Sequence, residues 1–166
     1  MEKGTFMKEI YKNLFIGNDS DCLSKDFRTI HACKTCHQKY LGYKGSLPQS
    51  HPSYLIAQTP DYLYLNMVDM EKELLPKFTH PIMKASLDFI ESNIKNNRIL
   101  IHCNQGVSRS SSLALFYLAR KRIISTENYQ KAKADFTKIY PQTNLGIGIA
   151  LYLNNNWKDL VVNPIF

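Results

Sequence analysis

The chain has 166 residues, 44% of them apolar and 21% charged, enough to bury the core of one domain and too apolar for a disordered chain. Its net charge of +7 comes from scattered lysines without a dense cluster, so it reads as a solvated surface and not a dedicated nucleic-acid face, though the field favours anionic substrates. Met1–Asn13 lacks a signal-peptide core and no apolar run approaches the ~18 residues of a bilayer span, which predicts a cytoplasmic protein with no membrane partner.

In chain order, LFIG (Leu14–Gly17) reads as a short strand closed by a glycine turn, and Phe27–His31 as another. Breakers at Gly42, Gly45, Pro48 and Pro52 mark Tyr40–Pro52 as a loop. Ser53–Ala57 and Asp61–Asp69 are strand-like, the second ending in an acid. Phe78, Ile82, Ala85, Phe89 and Ile94 then recur at helical spacing, and RILI (Arg98–Ile101) follows as a fully buried strand. Leu113, Phe116 and Leu118 mark a largely buried helix. Ser125 is positioned to cap a further helix carrying Tyr129, Ala132, Phe136 and Ile139, and a last helix covers Gly146–Trp157. Strands interleaved with helices predict a single α/β domain over 1–166, with a central, mainly parallel sheet flanked by helices.

Four cysteines without a secretory signal argue against a disulfide framework. Two of them lie in HACKTCH (His31–His37), which contains the C-x-x-C-H pattern of haem attachment and four possible zinc ligands, His31, Cys33, Cys36 and His37. Haem attachment needs export, and four ligands within seven residues are sterically awkward around one ion, with His51 the one distal partner in view. The segment is therefore expected to be structural or to line a substrate site, without metal or haem.

IHCNQGVSRSSS (Ile101–Ser112) carries the chemistry. Cys103 stands at the carboxyl end of the buried strand, where α/β sheets gather ligands, and the loop after it feeds a helix N-terminus. Unpaired N–H groups and the helix dipole there favour a phosphate and a thiolate alike. Gly106 allows a tight wrap, and Arg109 can offer two parallel donors to phosphate oxygens. Nucleophile, anion cradle and clamp lie within seven residues.

HCNQGVSRS resembles the signature of the cysteine-dependent phosphatases, and GVSRS (Gly106–Ser110) is especially similar to the dual-specificity branch of the protein tyrosine phosphatases. NLFIGN (Asn13–Asn18) resembles the opening strand of that family, and DYLYLNMVD (Asp61–Asp69) the segment that carries its general acid. The resemblance implies that Cys103 attacks phosphorus to form a phosphocysteine, while the amides of Asn104, Gln105, Gly106, Val107, Ser108 and Arg109, with the Arg109 side chain, hold the phosphoryl oxygens. It implies that Ser110 hydrogen-bonds the sulfur and assists its departure, and that His102 buttresses the loop and lowers the thiol pKa.

A leaving phenolate or alkoxide must be protonated, and Asp69, 34 residues before Cys103, ends a strand that one helix and one strand separate from it. Asp69 is the expected general acid, with Glu71 and Asp61 poor substitutes. No cofactor or catalytic metal is expected, since loop and arginine supply the positive charge. Gln105 stands where the dual-specificity pattern usually has alanine, making the pocket wall bulkier and more polar. The expected substrate is a phosphorylated protein, carrying phosphotyrosine and also phosphoserine or phosphothreonine. A non-protein phosphomonoester, such as an RNA 5′-phosphate end or a metabolite, and a phosphate-binding module without turnover are the alternatives.

Overall fold

A six-stranded sheet of order β1-β2-β6-β3-β5-β4 organises the chain, seen in a computed structural model that describes residues 7–166. The strands are β1 (Lys8–Tyr11), β2 (Leu14–Gly17), β3 (Phe27–His31), β4 (Ile56–Gln58), β5 (Tyr62–Leu65) and β6 (Arg98–His102). The first six residues, part of the amino-terminal segment read above for a signal peptide, lie outside the described residues.

β2, β6, β3 and β5 run parallel, and the edge strands β1 and β4 pair antiparallel with β2 and β5. The sheet is thus mixed, with the predicted parallel order at its centre. β6 occupies that centre because Ile99, Leu100 and Ile101 are apolar on both faces and wholly buried, as a doubly covered parallel strand requires. Its register with β3 sets His31 beside His102. Successive side chains alternate faces, so His102 and Cys103 diverge to opposite sides of the sheet.

Among the described residues, five α-helices cover the sheet: α1 (Lys34–Leu41), α2 (Pro76–Asn93), α3 (Arg109–Arg120), α4 (Tyr129–Ile139) and α5 (Ile147–Trp157), the last continued by a π-helical turn over Lys158–Val162. α2 and α3 pack on β6 and on each other, while α4 and α5 join this layer through α3. α3 is buried from Ser110 to Ala119, so truncating a core residue such as Phe116 would cost ~3–5 kcal/mol. α1 lies over the face that carries His102, since Cys36 Sγ is 3.8 Å from His102 Nε2. No helix among the described residues is long and apolar enough to cross a membrane.

Four local expectations change. Residues 34–41 form a helix whose end, closed by Gly42 at φ +75°, overlaps the predicted loop; only His37 of α1 is buried, so no apolar stripe announced it. β4 starts at Ile56, because Ser53 and Tyr54 belong to a turn in which Tyr54 N–H donates to His51 C=O. β5 stops at Leu65, where Asn66 turns to donate to the carbonyls of Leu55 and Tyr54, 2.8 Å each. The cap of α4 is Asn128, which accepts from Lys131 N–H at 2.8 Å, whereas Ser125 N–H is taken by Asp135 Oδ2 outside the helix.

Candidate active site

Cys103 leaves the end of β6 and lies at the floor of a cavity of about 150 Å³, with Asp69, Ser108 and Arg109 among its walls. The side chain is 2% exposed, and its Sγ has Ser110 Oγ at 3.2 Å and Ser110 N–H at 3.5 Å. Both Ser110 groups come from the first turn of α3, where amides lack intrahelical acceptors. Ser111 and Ser112 follow inside the same buried turn, Ser112 Oγ donating to Arg109 C=O at 2.7 Å.

The loop between Cys103 and α3 is held by its carbonyls. Asn104 C=O accepts from Asp19 N–H at 3.3 Å, Gly106 C=O from Tyr140 Oη at 2.7 Å and Val107 C=O from Asn144 N–H at 2.8 Å. A trans peptide points its N–H opposite its C=O, so the amides of Gln105, Val107 and Ser108 are turned away from these partners. Gly106 permits this with φ +72°, a region side chains rarely enter. Burial first, then the nearby Cys103 and Asp21, pushes the Tyr140 hydroxyl up to about 12, so it remains a donor at neutral pH.

Arg109 is anchored at one end and free at another. Its Nη1 donates to Met67 C=O at 3.1 Å, while its buried Nε has no partner among the described residues. An unpaired buried donor is costly unless a ligand completes it. Met67 also ties the guanidinium to the segment that leads into Asp69.

Asp69 lies on that exposed segment, and its Oδ1 accepts from Ser108 Oγ at 3.4 Å. Ser108 Oγ in turn accepts from Gly146 N–H at 2.9 Å. Two more bonds join the α5 end to the acid segment, Gly148 N–H to Met70 C=O at 2.8 Å and Leu74 N–H to Gly148 C=O at 3.2 Å. The Gly146-Ile147-Gly148 run is therefore a buckle between cavity loop and acid segment, and sequence reading missed it. Its trace in the sequence is the paired glycines: a Cβ on Gly148 would collide with the Lys72 and Met70 carbonyls, and one on Gly146 with Asp69 Oδ1.

Of the residues selected from sequence, Asp69, Cys103, Asn104, Gln105, Val107, Ser108 and Arg109 line the cavity, Gly106 shapes its loop and Ser110 touches the sulfur. His102 faces the other side. Its Nε2 is 2.6 Å from His31 Nδ1 and its backbone C=O accepts from Ala32 N–H at 2.9 Å, so its contact with the loop runs through the backbone. Burial pushes the His102 imidazole down, but Cys22, Cys33 and Asp19 around it outweigh that, so the net direction is up. None of His31–Tyr43 lines the Cys103 cavity; Lys34 borders a neighbouring groove with Met67 and Met70.

No family model matches the chain. Over 98 residues it is 37% identical to the dual specificity protein phosphatase YVH1 of Plasmodium falciparum, covering 58% of this chain and 16% of that protein. Over 140 residues it is 27% identical to human dual specificity protein phosphatase 16, covering 81% of this chain and 19% of the relative. The chain thus spans less than a fifth of these relatives' length. Among solved structures, human tyrosine phosphatase-like serine/threonine/tyrosine-interacting protein superposes with a TM-score of 0.62 at 20% identity, covering 90% of this chain and 93% of that one. Human DUSP28 does so with a TM-score of 0.59 at 17% identity, covering 93% and 94%. Both carry the same fold. The chain is thus similar in sequence to dual specificity protein phosphatases and has the fold of these two solved structures.

Proposed function

We propose that the protein hydrolyses phosphate monoesters of proteins, phosphotyrosine foremost and phosphoserine or phosphothreonine as well, through a phosphocysteine intermediate, in the cytoplasm. The observation that carries this reading is the pairing of Cys103 Sγ, in contact with the Ser110 hydroxyl and N–H, with an Arg109 Nε that has no partner among the described residues, beside the same small cavity.

The Cys103 thiolate attacks phosphorus in line; the S–P bond forms as the P–O bond to the leaving group breaks. The loop amides and the Arg109 guanidinium hold the three non-bridging oxygens and take up their negative charge. Asp69 gives its proton to the departing oxygen. Water then attacks phosphorus, its proton returns to the Asp69 carboxylate, and the S–P bond breaks to release inorganic phosphate. The Ser110 hydroxyl donates to the sulfur as it regains its charge, which makes it a better leaving group. His102 supports the loop through its backbone and its packing on the far face.

Trapping with Cys103→Ser tests the substrate class. The variant keeps the cradle without the thiolate, so phosphorylated proteins should be retained and be identifiable by mass spectrometry. Retention of phosphorylated RNA or metabolites alone would overturn the protein-substrate reading.

A further inference from the structure

On the sheet face opposite the cavity, Cys22, His31, Cys36 and His102 bring one ligand atom each to within 4.8 Å of all the others. They come from four places: the residue after the 3-10 turn Asp19–Asp21, the end of β3, the first turn of α1 and the end of β6. We propose that these four side chains form a structural Zn²⁺ site.

Three observations point to a metal. Cys22 Sγ and Cys36 Sγ are 3.8 Å apart, the edge a tetrahedron with Zn–S of ~2.3 Å requires. Cys22 Sγ to His31 Nδ1 and Cys36 Sγ to His102 Nε2 are also 3.8 Å. The two imidazoles, 2.6 Å apart between Nδ1 and Nε2, need to open to ~3.3 Å to share the ion. Second, His102 Nδ1 is buried and has no hydrogen-bond partner among the described residues, with Asp19 Oδ1 nearby at 3.9 Å, too long for a hydrogen bond. With Nε2 on an ion, the free Nδ1–H faces Asp19, the carboxylate that would orient a metal-bound imidazole on a small approach. Third, the donor set is chemically right: two thiolates neutralise the dication, and two thiolates with two imidazoles in a tetrahedron select zinc. A Cys22–Cys36 disulfide would use the sulfurs but give no role to the converging histidines.

Only His31 and Cys36 of the ligands that sequence spacing offered take part. Of that set, His37 is engaged by Tyr43 Oη at 2.7 Å and Ser53 C=O at 2.8 Å, and Cys33 groups with Asp19 and His102 instead. Since protein atoms fill all four positions, the ion has no open position for substrate and acts as a clamp. It joins α1 and β3 to the residue before Cys103, fixing where the cavity loop begins. An open cleft of about 690 Å³ beside Cys22 and Cys36 gives the ion access.

The test is elemental analysis of untagged protein, purified without chelator. We expect one zinc per chain, lost in Cys22→Ser and Cys36→Ser and kept in Cys33→Ser and His51→Gln. In case the variants fold poorly, wild-type protein reloaded with Co²⁺ should show the visible bands of tetrahedral thiolate-bound cobalt, and X-ray absorption of the zinc form should show two sulfur and two nitrogen neighbours. Wild-type protein that holds no zinc and takes up no Co²⁺, or that is isolated metal-free with Cys22 and Cys36 in a disulfide, overturns the site. None of these three readouts depends on phosphatase turnover.

Discussion

Ser108 Oγ donates to Asp69 Oδ1 across 3.4 Å, linking the start of the signature helix to the side chain that protonates the leaving group in the proposed mechanism. The same oxygen accepts from Gly146 N–H, so one hydroxyl joins three segments distant in sequence. Ser108→Ala should lower turnover of alkyl phosphates several-fold and stability by about 1 kcal/mol, the net value of a hydrogen bond with one donor left unsatisfied. Steady-state kinetics and a denaturant titration check this pair of effects. Unchanged kinetics would mean that Asp69 needs no positioning from Ser108.

The acid can be isolated through its leaving groups. Asp69→Asn keeps the side chain's shape and removes its transferable proton. Turnover of phosphates with high-pKa leaving groups should fall ~10²–10⁴-fold, and that of an activated aryl phosphate much less. A series of aryl phosphates measures this as a steeper dependence of kcat/KM on leaving-group pKa. Equal slowing across the series would remove Asp69 from the role.

Ser110 sits 3.2 Å from the sulfur and bears on the second step. Ser110→Ala should leave formation of the phosphoenzyme nearly intact and slow its breakdown by about tenfold, which corresponds to losing one hydrogen bond of ~1.4 kcal/mol to a charged atom. Rapid-quench kinetics would then show a burst followed by a slow steady state. A slower burst with no change in the steady-state limit would place Ser110 in the first step instead.

The glycine buckle makes a prediction about stability. In Gly148→Ala the new methyl meets the backbone carbonyls of Lys72 and Met70, which cannot swing aside as a side chain can. The cost should be about 1–3 kcal/mol, the usual range for overpacking, together with reduced turnover of poor leaving groups as the Asp69 segment shifts. Thermal melts and the leaving-group series measure both. A wild-type melt would show that the α5 end and the acid segment yield freely to each other.

What the sequence made legible was local. Cys103, Gly106 and Arg109 fall within seven residues, and their meaning lies in that spacing, so strand, loop and helix could be placed around them without tertiary information. Asp69 was readable because it follows a strand-like run. The rest depends on contacts between distant residues: Gly146 reaches Ser108, and His31 and His102 meet because β3 and β6 pair in register. α1 escaped notice for a different reason, since KTCHQKYL buries only His37 and shows no apolar period. At Ser125 and Asn128 two good caps compete: Asn128 Oδ1 reaches Lys131 N–H inside the helix, whereas Ser125 Oγ accepts from Glu127 N–H before it.

The central claim is that Cys103 carries the phosphoryl group. Protein mixed with an aryl phosphate and quenched in acid within the first turnover should gain the mass of one HPO₃ group, mapping to the peptide that contains Cys103 and absent from Cys103→Ser. Hydrolysis of the aryl phosphate by Cys103→Ser at the wild-type rate, or a phosphoryl group on any other residue, would contradict the account.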